Sequence, residues 1–257
     1  MNISSNDTPF VIQPPEERPP FVWRGRDVLI ITVGILLILL VGSIGLVRGL
    51  RVSPGDLQQT GNPGLLVSLG MALLEAVAII AGVYLLGLKR LKQGWQAVGL
   101  RGLTTPWLWG VVALSVLVVP LSGAAAAAIQ AALGLPFNNP QLPFLVPAGF
   151  NWVGFIGMTL LGGLIVPFAE ELFFRGVLFG WLRSRWNFWP SALLSGLVFG
   201  ALHGDIAVGG AAALLGVLLA WVYERSGSLW PGILVHAINN SFKIVLLYAL
   251  LASGVKL

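Results

Sequence analysis

Long uncharged runs of apolar residues dominate this sequence, separated by short polar or proline-rich connections. A bilayer core takes about 20 apolar residues per helix, so each run is a candidate membrane crossing. The pattern therefore predicts an all-α, polytopic transmembrane helical bundle with seven to eight membrane helices. The runs cover residues 28–47, 65–88, 107–129, 150–182, 189–203, 207–223 and 230–251.

The run at residues 150–182 is longer than a single crossing requires. At about 1.5 Å per residue it would form nearly 50 Å of helix. Pro167 lies inside the run, where a proline bends or breaks a helix. The pattern fits either one long tilted helix or two shorter pieces.

Composition supports a membrane location for the chain. Hydrophobic residues make up 56% of it and charged residues 10%, which leaves little room for a separate soluble domain. The net charge of +5 does not indicate a nucleic-acid partner, because the basic residues stand singly or in short clusters at the ends of apolar runs. With no cysteines, disulfides, thiolate metal sites and cysteine nucleophiles are excluded.

The charged residues at the ends of the apolar runs predict how the chain is oriented in the membrane. Residues 1–27 contain a proline-rich polar stretch and are interpreted as a flexible cytoplasmic tail. The connection after the second run holds four basic residues and no acid, which is typical of a cytoplasmic loop. The prediction is an integral protein of a prokaryotic plasma membrane with a cytoplasmic N-terminus. The four basic residues are Lys89, Arg90, Lys92 and Arg101.

Few ionisable side chains interrupt the apolar runs. Placing such a group at bilayer depth costs at least ~2.5 kcal/mol, so each is a candidate functional residue. Both histidines of the protein belong to this group, and two amides accompany them. The group comprises Glu75, Glu170, Glu171, Arg175, His203, His236 and Lys243, with the amides Asn239 and Asn240.

The spacing of these residues suggests partners. Glu171 and Arg175 are four residues apart on one helix face, which favours a salt bridge. Glu170 is rotated by about 100° from Glu171 and can meet a different neighbour. His236 and Asn240 are also four apart, so both can act on one bound group. Counting about 1.5 Å per residue from the predicted cytoplasmic ends, the carboxylate, imidazoles and amide overlap in depth.

This set of groups suits hydrolysis by activated water. Glu170 would take a proton from water, and His203 would help to hold that water. His236 and Asn240 would donate hydrogen bonds to the oxyanion of a tetrahedral intermediate. The residues fit equally a metal version, in which Glu170, His203 and His236 hold a divalent ion such as zinc. The sequence has no His-Glu-x-x-His, Gly-x-Gly-Asp or Gly-x-Ser-Gly motif of other intramembrane proteases.

Three motifs together resemble a known family. Glu170-Glu171-x-x-x-Arg175, Phe199-x-x-x-His203 and His236-x-x-x-Asn240 occur in this order within four consecutive apolar runs. They are similar to those of the CPBP family of intramembrane glutamic endopeptidases, which includes CAAX prenyl proteases and bacteriocin-processing or self-immunity (Abi-like) proteins.

The resemblance implies an endopeptidase acting on membrane-associated polypeptides, among which prenylated CAAX tails are the best-known substrates. It assigns catalysis to Glu170, His203, His236 and Asn240, with Glu171 and Arg175 in support. Residues 28–143 would be accessory membrane helices, and residues 144–257 the catalytic membrane core. Two other functions fit the same polar groups: a proton- or ion-coupled transporter, and a catalytically inactive scaffold or immunity protein.

Overall fold

A computed structural model of the chain describes residues 22–51, 62–137 and 139–255. Throughout these ranges the secondary structure is helical, without strands. Six of the helices are long and apolar enough to cross a membrane, and a seventh apolar helix is shorter. The predicted polytopic helical bundle is confirmed. The helices are α1 (Gly25–Gly49), α2 (Pro63–Lys89), α3 (Thr105–Leu133), α4 (Leu142–Leu145), α5 (Trp152–Arg183), α6 (Phe188–Ala201), α7 (Ile206–Ser226) and α8 (Leu229–Ala252).

Helix α5 is a single piece, which answers the question that Pro167 raised. Two segments, Leu161–Ile165 and Leu172–Phe179, have wider π-helical turns. Because Pro167 has no N–H, it cannot donate to the carbonyl of Gly163 four residues earlier. The hydroxyl of Ser241 on α8 donates to that carbonyl instead, at 3.2 Å. The helix therefore continues through the proline, with one of its backbone groups bound by a neighbouring helix.

Helix α6 is too short for a full crossing. Its 14 residues give about 21 Å of helix, against the roughly 30 Å of a bilayer core. The turn that follows is set locally, by Gly204 at a φ of +69° and by the Asp205 side chain, which accepts hydrogen bonds from Ala207 N and Val208 N. The predicted crossing at 189–203 is thus a short helix paired with α7.

One end of the bundle gathers the start of α1, the end of α2 and part of α5. The indole of Trp23 is 2% exposed and donates to the carbonyl of Gly176 on α5 at 2.7 Å. Asp27, also buried, pairs with Arg90. Helix α1 begins at Gly25, earlier than the predicted boundary after residue 27. Of the predicted tail, residues 1–21 lie outside the described part of the chain.

Glycines let α6 and α7 approach closely. A Cβ built on Gly216 of α7 would lie 2.9 Å from the Cα of Gly196 on α6 and 3.3 Å from Arg175 Nη2. Neither the backbone nor the buried guanidinium can move away easily. The pairing of α6 with α7 therefore depends on the absence of a side chain at Gly216.

We expect Gly216→Ala to destabilise the protein by about 1–3 kcal/mol, because the added methyl group overpacks this contact. A lower midpoint of thermal unfolding in detergent would report the loss. Gly123→Ala on α3 is the matched control, since a Cβ there meets nothing within 4 Å. An unfolding midpoint for Gly216→Ala equal to that of Gly123→Ala would contradict the close-contact account.

Candidate active site

The two adjacent glutamates lie buried in the middle of α5. Glu170 is 9% exposed and Glu171 is fully buried. Although the two residues are separated by about 100° on the helix, their side chains share His236 as a neighbour, through different nitrogens of its ring. Glu171 contacts Arg175 on its own helix, and both carboxylates approach His236 on α8. The glutamate pair thus joins α5 to α8.

Glu171 accepts two hydrogen bonds through one oxygen. Its Oε1 lies 2.7 Å from Arg175 Nη1 and 3.0 Å from His236 Nδ1. The Arg175 contact is the predicted four-residue ion pair. The contact with His236 was not anticipated from the sequence, because it joins residues 65 positions apart. Glu171 therefore neutralises Arg175 and also orients the imidazole of His236.

Arg175 is fully buried and held from three sides. Besides Glu171, its Nη2 donates to the carbonyl of Gly216 on α7 at 3.2 Å. Its guanidinium carbon lies 4.8 Å from the centroid of the Phe199 ring, a cation–π contact. The guanidinium thereby connects α5, α6 and α7 around the glutamate pair.

The second ring nitrogen of His236 is directed at Glu170. His236 Nε2 lies 3.7 Å from Glu170 Oε2. This separation exceeds a direct hydrogen bond, but both atoms are within reach of one shared water molecule. Because Glu171 holds Nδ1, the imidazole presents Nε2 to the space beside Glu170.

His203 approaches the site through the ring of Phe199. Phe199 is 1% exposed, and the rings of His203 and His236 meet it edge to face at centroid distances of 4.9 and 5.6 Å. His203 Nδ1 lies 3.0 Å from the carbonyl of Phe199, which can only accept, so the proton sits on Nδ1 and Nε2 is free to accept. The Phe199 ring therefore contacts Arg175 as well as both histidines.

Asn240 lies one turn beyond His236 on α8 and belongs to a chain of polar contacts. Its Nδ2 is 3.5 Å from the carbonyl of Gly162, and its Oδ1 accepts from Asn239 Nδ2 at 3.1 Å. Asn239 Oδ1 accepts in turn from the hydroxyl of Ser122 on α3 at 2.9 Å. The sequence did not predict this link, because nothing in the pattern pairs Ser122 with a residue of α8.

Glu75 is the remaining acid within the apolar sequence. It is half-buried on α2, which packs against the part of α5 that carries Glu170. In the described residues it forms no ion pair with either Arg175 or Lys243. Glu75 is therefore a neighbour of the glutamate pair across the α2–α5 contact.

The donor arrangement does not favour the metal version of the site. Within the ranges that the structure covers, no three carboxylate or imidazole side chains are grouped so that they could hold one ion. The site brings together Glu170, Glu171, Arg175 and His236, with His203 and Asn240 at its margin.

Comparison with known proteins gives an independent result. A family model described as Type II CAAX prenyl endopeptidase Rce1-like matches residues 152–242, the part of the chain that carries all three motifs. A Bacillus subtilis protein named "Putative membrane peptidase YdiL" is 29% identical over 89 residues. The chain belongs to the CPBP family. This family is of the glutamic type, so the metalloprotease prediction is not supported.

The relatives differ in how much of the CPBP chain they match. The match to the Bacillus protein covers 35% of this chain and 36% of the relative, so the chain spans about a third of that protein. An Escherichia coli protein named "Uncharacterized 24.3 kDa protein" is 30% identical over 164 residues, which are 60% of this chain and 71% of the relative. No solved structure matches the chain.

Proposed function

We propose that the chain is an intramembrane endopeptidase that hydrolyses peptide bonds of membrane-associated polypeptides with glutamate-activated water. The observation that carries the proposal is the relay of contacts from Arg175 through Glu171 and His236 to Glu170. It fixes one imidazole nitrogen and leaves the other facing a carboxylate across 3.7 Å. A general base and an orienting imidazole in that geometry suit the activation of one water molecule.

Each residue has a defined part in the proposed reaction. Glu170 takes a proton from water as the oxygen attacks the scissile carbonyl. The oxyanion that forms accepts hydrogen bonds from Asn240 Nδ2 and from His236 Nε2, because the ring of His236 enters the reaction as an imidazolium, protonated on both nitrogens. When the intermediate collapses and the C–N bond breaks, the proton held by Glu170 goes to the leaving amine. Glu171 accepts from Nδ1 and balances the imidazolium charge, so these positioned donors stabilise the intermediate. His203, through its free Nε2, accepts from the attacking water.

The proposed substrates are polypeptides already associated with the bilayer, including prenylated CAAX-type tails. Glu170 and His236 lie within helices long enough to cross a membrane, so a substrate must reach them at membrane depth. The family description names a CAAX prenyl endopeptidase, which supports a C-terminal tail as a substrate. We also propose that the protein lies in a prokaryotic plasma membrane. Its N-terminus is cytoplasmic, as the charge pattern predicts.

The test uses the purified protein in lipid vesicles with a lipidated CAAX-type peptide and a panel of membrane peptides. We expect mass spectrometry to detect cleavage by the wild type and its loss in Glu170→Ala and Asn240→Ala. A proton-flux measurement on the same vesicles tests the transporter alternative. Flux that depends on Glu170, with no peptide cleaved, would reject the proposal. Absence of both activities would favour the inactive scaffold or immunity protein.

Ser122 should act on the reaction through Asn239 and Asn240. We expect Ser122→Ala to lower kcat about fivefold with little change in KM, because a lost hydrogen bond of about 1 kcal/mol loosens the amide that stabilises the oxyanion. The hydroxyl also lies 3.1 Å from the carbonyl of Val119, and its single proton serves one of the two acceptors.

Ser115→Ala is the matched control, since Ser115 is buried on the same helix and its hydroxyl has no hydrogen-bond partner among the described residues. Its kinetic constants should equal those of the wild type. A kcat for Ser122→Ala that also equals the wild-type value would remove Ser122 from the Asn240 network.

A further inference from the structure

Lys243 is a charged residue that the proposed reaction does not use. It follows Asn240 by three residues and His236 by seven on α8, so all three lie on one face of the helix. A cation therefore stands beside the proposed oxyanion site, on the side of Asn240 away from the start of α8.

No protein anion accounts for this lysine. In the parts of the chain that are described, Lys243 forms no ion pair or hydrogen bond, and its side chain is more than a third exposed. It follows the first residue of α8 by about 21 Å and precedes the last by about 14 Å. A lysine this far inside a membrane helix is costly without a partner. A lipid headgroup at either end of the helix is a distant partner, whereas a bound substrate is close.

We propose that Lys243 binds the C-terminal carboxylate of the peptide substrate and thereby limits cleavage to bonds near a free C-terminus. The inference rests on the proposed endopeptidase function and adds a specificity residue to it. The anion is identified by its chemistry: a peptide has one carboxylate at a fixed spacing from each backbone carbonyl. A carboxylate at Lys243 would set which carbonyl reaches Glu170.

The helix geometry defines that spacing. Along α8, Lys243 lies about 4.5 Å from Asn240 and about 10.5 Å from His236. An extended peptide advances about 3.3 Å per residue. With its carboxylate at Lys243 and its scissile carbonyl between His236 and Asn240, the peptide would lose a C-terminal fragment of about two or three residues. Such a fragment is compatible with the CAAX-type tails that the family description names.

The experiment compares two lipidated peptides of identical sequence, one with a free C-terminal carboxylate and one with a C-terminal amide. Cleavage is measured in phosphatidylcholine vesicles, which contain no anionic headgroups that could replace the substrate at Lys243. The wild type, Lys243→Met and Lys243→Arg are assayed. Lys89→Met is the matched control, since it removes an exposed lysine at the end of α2, away from the site.

We expect the wild type and Lys89→Met to cleave the free acid with a kcat/KM about 10- to 100-fold higher than that of the amide, the range for a charge-assisted hydrogen bond. Lys243→Met should lose this preference by cleaving the acid as slowly as the amide, and Lys243→Arg should keep part of it. Equal cleavage of both peptides by the wild type, or an unchanged preference in Lys243→Met, would overturn the role of Lys243 but leave the proposed endopeptidase function intact. A wild type that cleaves neither peptide would overturn the proposed function.

Discussion

Replacing Glu170 with glutamine should lower kcat by about 10²- to 10⁴-fold, the usual contribution of a general base. Glutamine keeps the shape of the side chain beside His236 but cannot accept a proton from water. KM should change little, because the substituted group acts on water and makes no contact with the bulk of the substrate. Initial rates with a fluorogenic lipidated peptide in vesicles would measure both constants.

Two further variants make the result specific to this carboxyl. Glu170→Asp retains a base but withdraws it by one methylene, so its kcat should fall between those of the wild type and Glu170→Gln. Glu75→Gln removes the neighbouring acid on α2, which in the described residues forms no hydrogen bond or ion pair with His236, and its effect should stay within about tenfold. Near wild-type turnover in Glu170→Gln would eliminate Glu170 as the base, whatever the other variants do.

Arg175→Met should prevent stable folding, with a loss of about 3–5 kcal/mol. The substitution leaves the carboxylate of Glu171 fully buried without the cation that compensates it. It also removes the hydrogen bond to Gly216 and the cation–π contact with Phe199. We expect low yield in membranes and a strongly lowered unfolding midpoint in detergent.

The double variant Arg175→Met/Glu171→Gln separates folding from catalysis. With both charges gone, the desolvation cost disappears, and stability should recover most of the loss. The glutamine carbonyl can still accept from His236 Nδ1, but without a negative charge it stabilises an imidazolium less. The double variant should therefore fold and remain slow. A folded and stable Arg175→Met single variant would contradict the assignment of a compensated buried pair.

Much of the architecture follows from the sequence because the bilayer constrains it strongly. Apolar runs of about 20 residues have few alternatives to membrane helices, which explains why the helical bundle could be predicted. The length of α6 was harder to predict, since a short apolar run has the same residue pattern whether it crosses the membrane or packs beside another helix. The continuity of α5 through Pro167 also required the structure, which shows π-helical turns on both sides of the proline and a hydrogen bond from Ser241 of another helix to the carbonyl of Gly163.

The contacts of the candidate site are also of two kinds, those that the sequence could predict and those that it could not. Contacts within one helix, such as Glu171 with Arg175, follow from the 3.6-residue repeat and could be predicted. The same holds for the shared face of His236 and Asn240. Contacts between helices could not be predicted, because the spacing of residues within a helix determines neither its rotation nor its depth in the membrane relative to another helix. The links of Glu171 to His236 and of Ser122 to Asn239 belong to this second kind.

By itself, the sequence determined that the chain is a membrane bundle with a small set of ionisable side chains in apolar surroundings, and which of them share a helix face. It also showed the three motifs that place the chain in its family. The tertiary structure decided that one carboxylate, Glu171, holds both Arg175 and His236, while its neighbour Glu170 faces the free imidazole nitrogen. The physical reason is that burial makes an uncompensated charge costly, so each charged group needs a partner that only the packing of separate helices can supply.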